Sequence, residues 1–208
     1  MTAESKLYGL VLCGGKSTRI GFDKSDLIFH NNMKQKYFLY ELLRQYCEEV
    51  FISCRESQKD KIDNKYKVLT DLPVYENSGP MTGLLSFREK FPDTAVLAVG
   101  CDYPFIDCES IEKLIQHRND KAVCYINKSN DNIFEPLLTI YEASFLKTIQ
   151  DNFFKKNFSL SRILEQEMVN TIEPPKKLTL KNVNSEDELL EADSLIRKVK
   201  LKHKAGTD

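Results

Sequence analysis

Several features are missing from this chain of 208 residues, and each absence reduces the range of functions that the sequence allows. No stretch approaches the ~18 apolar residues of a membrane-spanning helix, so we expect no membrane partner. The three histidines, His30, His117 and His203, form no recognisable constellation, so we do not expect catalysis by histidine. The chain has no internal repeat and no low-complexity linker, and residues 1–208 are therefore predicted to be a single domain.

The charge balance and the cysteine pattern exclude further classes of protein. The 30 basic and 31 acidic residues give a net charge of −1, which offers no general basic field for a nucleic-acid partner. Residues 1–6 lack a signal-peptide pattern, and no Cys-x-x-Cys pair occurs. The six cysteines are therefore predicted to be reduced thiols of a cytoplasmic protein.

Short apolar runs alternate with amphipathic stretches along the first part of the chain. The runs at 7–12, 50–54, 68–70, 95–100 and 122–126 suit strands buried on both faces of a parallel sheet. Helical patterns cover 36–46, 83–91 and 109–117. This alternation predicts an α/β fold in three α/β/α layers, Rossmann-like, with a mostly parallel sheet.

The alternation of short apolar runs with amphipathic stretches ends after Asn127. A strand is predicted at 136–141, helices at 143–154 and 160–168, and a last helix that begins with a capping box formed by Ser185 and Glu188. We interpret residues 127–200 as a C-terminal elaboration of the same domain.

Several polar residues directly follow predicted strands. Residues 13–24 follow the first strand, Asp71 follows the third, and Asp102 comes just after the fourth. Ligands of open α/β sheets bind outside the carboxyl ends of the strands. These residues are therefore predicted to meet in one cleft.

The segment after the first strand has the composition of a phosphate-binding loop. The glycine pair Gly14 and Gly15 offers backbone donors, while Arg19 and Lys24 offer a planar fork and a compact charge for phosphate. Neither the P-loop pattern nor the G-x-G-x-x-G fingerprint fits the glycine spacing. A hydrolytic P-loop NTPase is therefore disfavoured.

The pattern that does fit is L-x-G-G-x-S-x-R-[IM]-G-x-D-K, which is complete from Leu12 to Lys24. It resembles the signature of the MobA-like nucleotidyltransferases, the family of the molybdenum cofactor guanylyltransferase. Four further stretches keep to the resemblance in order: Asp71 with 79–84, then 101–105, 135–138 and 182–189. Family members usually carry Leu and Ala where this chain has Met81 and Thr82.

The resemblance implies transfer of GMP from GTP to the phosphate of molybdopterin or its molybdenum-loaded form, with Mg²⁺ as cofactor. It implies nucleotide binding by Leu12, Cys13, Gly14, Gly15, Lys24, Asp71 and Asp102, and a segment at 79–83 that closes over the base. Arg19, Lys24 and Asp102 would be catalytic, with Asp102 as the metal ligand, since Mg²⁺ prefers one or two carboxylates plus phosphate oxygens. Asn182 and Asn184 would bind the acceptor within the elaboration, and other molybdenum cofactor biosynthesis proteins are possible partners.

Alternatives remain open at this stage. The protein could be a related nucleotidyltransferase that uses CTP or another phosphate acceptor such as a sugar phosphate. A third interpretation is a non-catalytic GTP-binding accessory protein. Asp71 could be a turn residue before Pro73, and Asn182 and Asn184 could be turn formers. Asp23 is a second candidate for the metal, and Glu135 has no assigned role.

Overall fold

The computed structural model describes residues 6–13, 24–30, 33–128, 133–183 and 186–205, without the side chains of residues 24, 186 and 197–205. Within this part, nine strands are present. They are β1 (Leu7–Leu12), β2 (Ile28–His30), β3 (Met33–Lys34), β4 (Glu49–Cys54), β5 (Val68–Thr70), β6 (Ala95–Gly100), β7 (Ala122–Asn127), β8 (Ile133–Tyr141) and β9 (Asn170–Ile172). The seven helices of this part are α1 (Gln35–Leu43), α2 (Glu56–Lys59), α3 (Pro80–Lys90), α4 (Cys108–Gln116), α5 (Ala143–Phe154), α6 (Leu160–Gln166) and α7 (Glu186–Ala205).

Seven of these strands form one sheet in the order β5-β4-β1-β6-β8-β7-β9. The pairs β5–β4, β4–β1, β1–β6 and β7–β9 are parallel. Only β8 runs against its neighbours, β6 and β7. The prediction of a mostly parallel sheet is therefore confirmed.

The sheet lies between two layers of helices because its central strands are apolar on both faces. All six residues of β6 are buried, as expected for an interior strand of a parallel sheet. On one face, Val11 and Leu97 pack in a core with residues of α1 and α4. On the other face, Leu10 and Val96 pack with α3, α5 and α6. This arrangement is the predicted three-layer α/β/α fold.

A third, smaller core joins the chain end to the region after the first loop. Phe29 on β2 packs against Val183 and against Ala192 and Ile196 of α7. The segment before α7 therefore reaches back across the molecule to the neighbourhood of β2. The predicted strand at 136–141 is longer than expected, and its added residues include Glu135.

Candidate active site at the carboxyl edge of the sheet

Four parallel strands end at the same edge of the sheet. Leu12 is in register with Ser53 on one side and with Gly100 on the other, so β1, β4 and β6 finish together. The amide of Cys13 donates to the Ser53 carbonyl at 3.1 Å, which continues the ladder past the strand end. The sulfurs of Cys13 and Cys101 lie 3.2 Å apart. The structure thus brings the start of the first loop beside the loop that carries Asp102.

Asp102 folds back over the end of β6. A Cβ atom added to Gly100 would lie 2.6 Å from Oδ1 of Asp102, so only glycine leaves room for the carboxylate in this position. The Asp102 carbonyl accepts a hydrogen bond from the Val183 amide at 3.1 Å. The nucleotide-side carboxylate predicted from the sequence therefore lies next to the segment that contains Asn182.

The residues after Asp102 are held by contacts that the sequence did not predict. Tyr103 is buried, and its hydroxyl donates to Oε2 of Glu135 at 2.6 Å. Its carbonyl accepts from Nε2 of Gln35 at 3.0 Å. Nε2 of His30 lies 2.7 Å from the Pro104 carbonyl. No sequence motif pointed to Gln35 or His30, because neither partner is close to Asp102 along the chain.

Asp71 follows β5 at the same edge and is held by β4. Its amide donates to the Cys54 carbonyl at 2.9 Å, and its Oδ1 accepts from the Ser53 hydroxyl at 3.0 Å. Burial raises the pKa of Asp71, while the Ser53 hydrogen bond and the charge of Arg55 act in the opposite direction. Ser53 thus orients Asp71, and the sequence did not single it out.

The segment 79–83 is not the loop that the sequence predicted. Pro80 begins α3, so this segment forms the first turn of a helix, as a proline in the first turn favours. The side chains of Met81 and Thr82 are buried in or beside the core, and Thr82 donates to a main-chain carbonyl at 2.7 Å. A Cβ on Gly83 would lie 2.5 Å from Oγ of Ser53, so this glycine lets α3 approach the strand ends. The two departures from the family pattern therefore face inward, and their side chains are not exposed to a base.

Lys24 lies at the start of a short 3₁₀ turn, Lys24–Asp26, and only its backbone is described. Asp26 anchors this turn, since its Oδ1 accepts from Nζ of Lys36 at 2.5 Å and lies 3.3 Å from Nζ of Lys34. Burial favours a higher pKa for Asp26, but the hydrogen bonds and charges of the two lysines outweigh it and lower the pKa. Lys36 has a side chain only 4% exposed, so this pair is a fixed support for the turn.

Gly14, Gly15, Arg19, Asp23 and Asn184 lie outside the described residues. Asn182 is half-buried. Burial raises the pKa of Tyr103, and the nearby amide of Asn182 acts in the opposite direction. Its Oδ1 is buried with no partner among the described residues. A buried amide oxygen of this kind is an acceptor available to a ligand.

The site fits a magnesium ion only if a substrate completes its coordination. The described residues contain no group of three or more His, Cys, Asp or Glu side chains that could hold a metal alone. Asp102 is a single carboxylate whose position is kept open by Gly100. One carboxylate supplemented by phosphate oxygens and water is the arrangement that Mg²⁺ prefers. Asp102 is therefore compatible with a nucleotide-dependent magnesium site.

Comparison with known proteins assigns the chain to a family. The family model described as "MobA-like NTP transferase domain" matches residues 9–171, which include most of β1 and of β9 and the Asp71 and Asp102 loops. The chain belongs to this family. Membership of this family agrees with the glycine-rich sequence of the first loop and with the strand ends that cluster at one edge of the sheet.

Curated relatives support the same assignment for this MobA-like chain. It is 34% identical over 195 residues to the "Molybdenum cofactor biosynthesis bifunctional protein" of Synechocystis, a match that covers 89% of this chain and 53% of that protein. The chain therefore spans about half the length of that relative. It is 30% identical over 154 residues to the "Molybdenum cofactor guanylyltransferase" of Campylobacter jejuni, covering 74% of this chain and 77% of that protein.

The MobA-like fold is also found in solved structures. The "Molybdopterin-guanine dinucleotide biosynthesis protein A" of Archaeoglobus fulgidus superposes with a TM-score of 0.72 over 92% of this chain and 99% of that chain, at 21% identity. At this identity, the likeness concerns the fold. Across the described residues, none of the helices has the length and apolar character needed to cross a membrane.

Proposed function

We propose that the protein transfers GMP from GTP to the terminal phosphate of molybdopterin or of its molybdenum-loaded form, and releases pyrophosphate. Membership of the family and the names of the curated relatives support this reaction. The observation that carries it is the hydrogen bond from the Val183 amide to the Asp102 carbonyl. It joins the proposed nucleotide side of the cleft to the proposed acceptor segment.

The proposed chemistry is an in-line displacement at phosphorus. An oxygen of the acceptor phosphate forms a bond to the α-phosphorus of GTP, and the bond from that phosphorus to the bridging oxygen of the β-phosphate breaks. The acceptor is already an anionic phosphate, so no strong general base is needed. Catalysis would then rest on positioning and on neutralisation of charge.

Each group has a proposed role in that scheme. Gly14 and Gly15 would donate amides to the phosphates, and Arg19 and Lys24 would neutralise them. A magnesium ion held by Asp102 and phosphate oxygens would supply further positive charge. Asn182 and Asn184 would hold the acceptor, with the buried Oδ1 of Asn182 as one contact.

The division of the cleft remains part of the proposal. Residues 127–200 would provide the acceptor side, and the strand ends with the first loop would provide the nucleotide side. A cytoplasmic location and contacts with other proteins of molybdenum cofactor synthesis stay predictions.

The base of the donor decides between this reaction and its nearest alternative. We expect guanine to be read by main-chain groups at the end of β1 and in the first turn of α3, which Gly83 allows to lie close together. An adenine or cytosine would leave such groups unpaired, at a cost of about 1–3 kcal/mol each.

Incubation of the protein with each nucleoside triphosphate, Mg²⁺ and molybdopterin tests the proposal. Mass spectrometry of the pterin product and a pyrophosphate assay should both report transfer from GTP well above transfer from CTP or ATP. Preferential product formation from CTP would assign the protein to the cytidylyl branch. Tight GTP binding without any product would instead support the non-catalytic accessory reading.

A further inference from the structure

A buried polar cluster lies between Asp102 and the acceptor segment, and the proposed reaction has so far given it no role. It consists of Tyr103, Glu135 and Asn182, and we call it the Tyr103 cluster. Tyr103 is 2% exposed, and its hydroxyl donates to Glu135 at 2.6 Å. Burial raises the pKa of Tyr103, and the nearby amide of Asn182 acts in the opposite direction. Buried polar groups are costly unless they are paired, so this cluster has one favoured arrangement.

The cluster fixes the peptide on which Asp102 sits. The ring of Tyr103 is held at its hydroxyl by Glu135, and the main chain of Tyr103 is held at its carbonyl by Gln35 at 3.0 Å. On the other side, the Asp102 carbonyl is held by the Val183 amide. Because the carbonyl groups of Asp102 and Tyr103 are both hydrogen-bonded, the direction of the Asp102 side chain depends on where the Tyr103 ring is anchored.

Asn182 is linked to the Asp102 loop through its neighbour in the chain. It directly precedes Val183, whose amide donates to the Asp102 carbonyl at 3.1 Å, and its own amide lies near the Tyr103 phenol. Its Oδ1 remains buried without a partner among the described residues. The loop that carries Tyr103 therefore adjoins both a proposed metal carboxylate and a proposed acceptor contact.

The electrostatic surroundings of Glu135 favour a hydrogen bond to Tyr103. Burial raises the pKa of Glu135, the charge of Asp102 raises it further, and the hydrogen bond from Tyr103 lowers it. Two carboxylates in one region repel each other, and a donor on one of them reduces that cost. The hydrogen bond from Tyr103 therefore offsets part of the cost of placing Glu135 near Asp102.

We propose that Tyr103 and Glu135 are positioning residues that align Asp102 with Asn182, so that the metal-bound nucleotide and the acceptor phosphate are held in line. The proposal rests on the proposed function, because it assigns roles within the same cleft. Glu135 acts here as a hydrogen-bond acceptor for Tyr103.

The experiment compares Tyr103→Phe with a matched control, Tyr75→Phe. Tyr75 is also 2% exposed, donates to a glutamate (Glu89, 2.5 Å) and accepts from an amide (Gln150, 2.8 Å), but it packs in the core on the other face of the sheet. Each variant removes one hydroxyl and keeps the ring. A structural loss should therefore be similar in the two proteins.

Two quantities are measured: the Mg²⁺ concentration that gives half-maximal binding of a fluorescent GTP analogue, and the rate of pterin guanylylation. For Tyr103→Phe we expect the Mg²⁺ requirement to rise about tenfold and the rate to fall about 10–100-fold, as for other groups that orient a metal ligand. For Tyr75→Phe we expect both to stay within about twofold of wild type.

Substitutions of Glu135 keep the test decisive even if Tyr103→Phe folds poorly. Glu135→Gln retains an oxygen that accepts from the phenol, so its Mg²⁺ requirement should stay near wild type. Glu135→Ala removes the acceptor and should match Tyr103→Phe. Equal behaviour of Gln and Ala at this position, or of Tyr103→Phe and Tyr75→Phe, would overturn the proposal.

The two proposals can fail separately. Absence of guanylylated product from the wild-type protein refutes the proposed reaction. The Mg²⁺ dependence of nucleotide binding then still decides whether Tyr103 positions Asp102, since that measurement needs no acceptor.

Discussion

At the scale of single residues, the cleft depends on a few groups with different partners. A main-chain hydrogen bond holds Asp102, and the absence of a side chain at Gly100 leaves room for its carboxylate. Lys24 begins a turn that is anchored by the ion pair between Asp26 and the buried Lys36. The two residues therefore sit on separate supports, and their substitutions are expected to have separable effects.

We expect Asp102→Asn and Lys24→Ala to differ in their response to metal. The asparagine keeps the size of the side chain but removes a charge from the proposed metal shell, so turnover should collapse and excess Mg²⁺ or Mn²⁺ should recover part of it. Loss of the proposed phosphate contact of Lys24 should cost about 10²–10³ in rate, with no recovery by metal. Rates measured against metal concentration distinguish the two.

Both variants should unfold in urea close to wild type, because a charge at the edge of the cleft contributes little to the core. Near-normal activity of Asp102→Asn at low Mg²⁺ would remove this residue from the metal site and leave Asp23 or Asp71 as the candidate.

At the scale of elements, helix α4 shows how a local signal fixes an element beside the site. Asp107 caps its N-terminus by accepting from the Ser110 amide at 3.0 Å and from the Ser110 hydroxyl at 2.7 Å. Lys176 pairs with the same carboxylate. The helix begins six residues after Asp102, so its cap also limits how far the loop between them can extend.

We expect Asp107→Ala to lower the free energy of unfolding by about 1 kcal/mol at pH 7, the usual value of an N-cap. Burial favours a higher pKa for Asp107, but Lys176 and Ser110 outweigh it and lower the pKa. A lowered pKa means that the contribution is present above the unfolded-state value of about 3.9 and is lost as pH falls through the folded value. Urea denaturation at several pH values measures this.

Glu109→Ala is the matched control, because Glu109 lies in the same helical turn and also pairs with Lys176, at 2.8 Å, but does not cap the helix. It should change the free energy of unfolding by less than about 0.5 kcal/mol. An equal loss in both variants would assign the effect to the ion pairs instead of the cap.

At the scale of the whole molecule, the cleft exists because strands distant in sequence end together. Cys13 and Cys101 are 88 positions apart, yet their sulfurs lie 3.2 Å from each other. They follow Leu12 and Gly100, which are paired in the parallel register of β1 and β6. A cross-link between these two thiols would therefore report the convergence directly.

We expect the oxidant diamide to join Cys13 and Cys101 in the native protein. Diamide takes one hydrogen atom from each thiol and becomes the hydrazine, while the two sulfurs form the bond. Mass spectrometry after digestion should find the linked peptides, and Cys101→Ser should abolish them. Burial raises the pKa of Cys47 and of Cys54 to about 12, so these thiols should stay unmodified. Absence of the Cys13–Cys101 link under conditions that oxidise the exposed Cys108 would contradict the proximity of the two strand ends.

Much of the fold could be predicted from the sequence because burial leaves a local pattern. The runs that became β1, β5 and β6 are apolar at every or nearly every position, and the amphipathic stretch that became α5 has the helical period. Parallel strands present their carboxyl ends at one edge, so the placement of Asp71 and Asp102 together followed from their positions after strands. The glycine-rich motif then indicated the family.

Only the tertiary structure decided which residues support that cleft. The contacts of Tyr103 with Glu135 and of Ser53 with Asp71 join positions 32 and 18 residues apart, and the reversal of β8 between β6 and β7 places Glu135 beside the Asp102 loop. The segment 79–83 became a helical turn because it packs against Ser53 and Leu12, which its own sequence does not report. Periodicity records whether a residue is buried, whereas its partner is set by the order and direction of the strands.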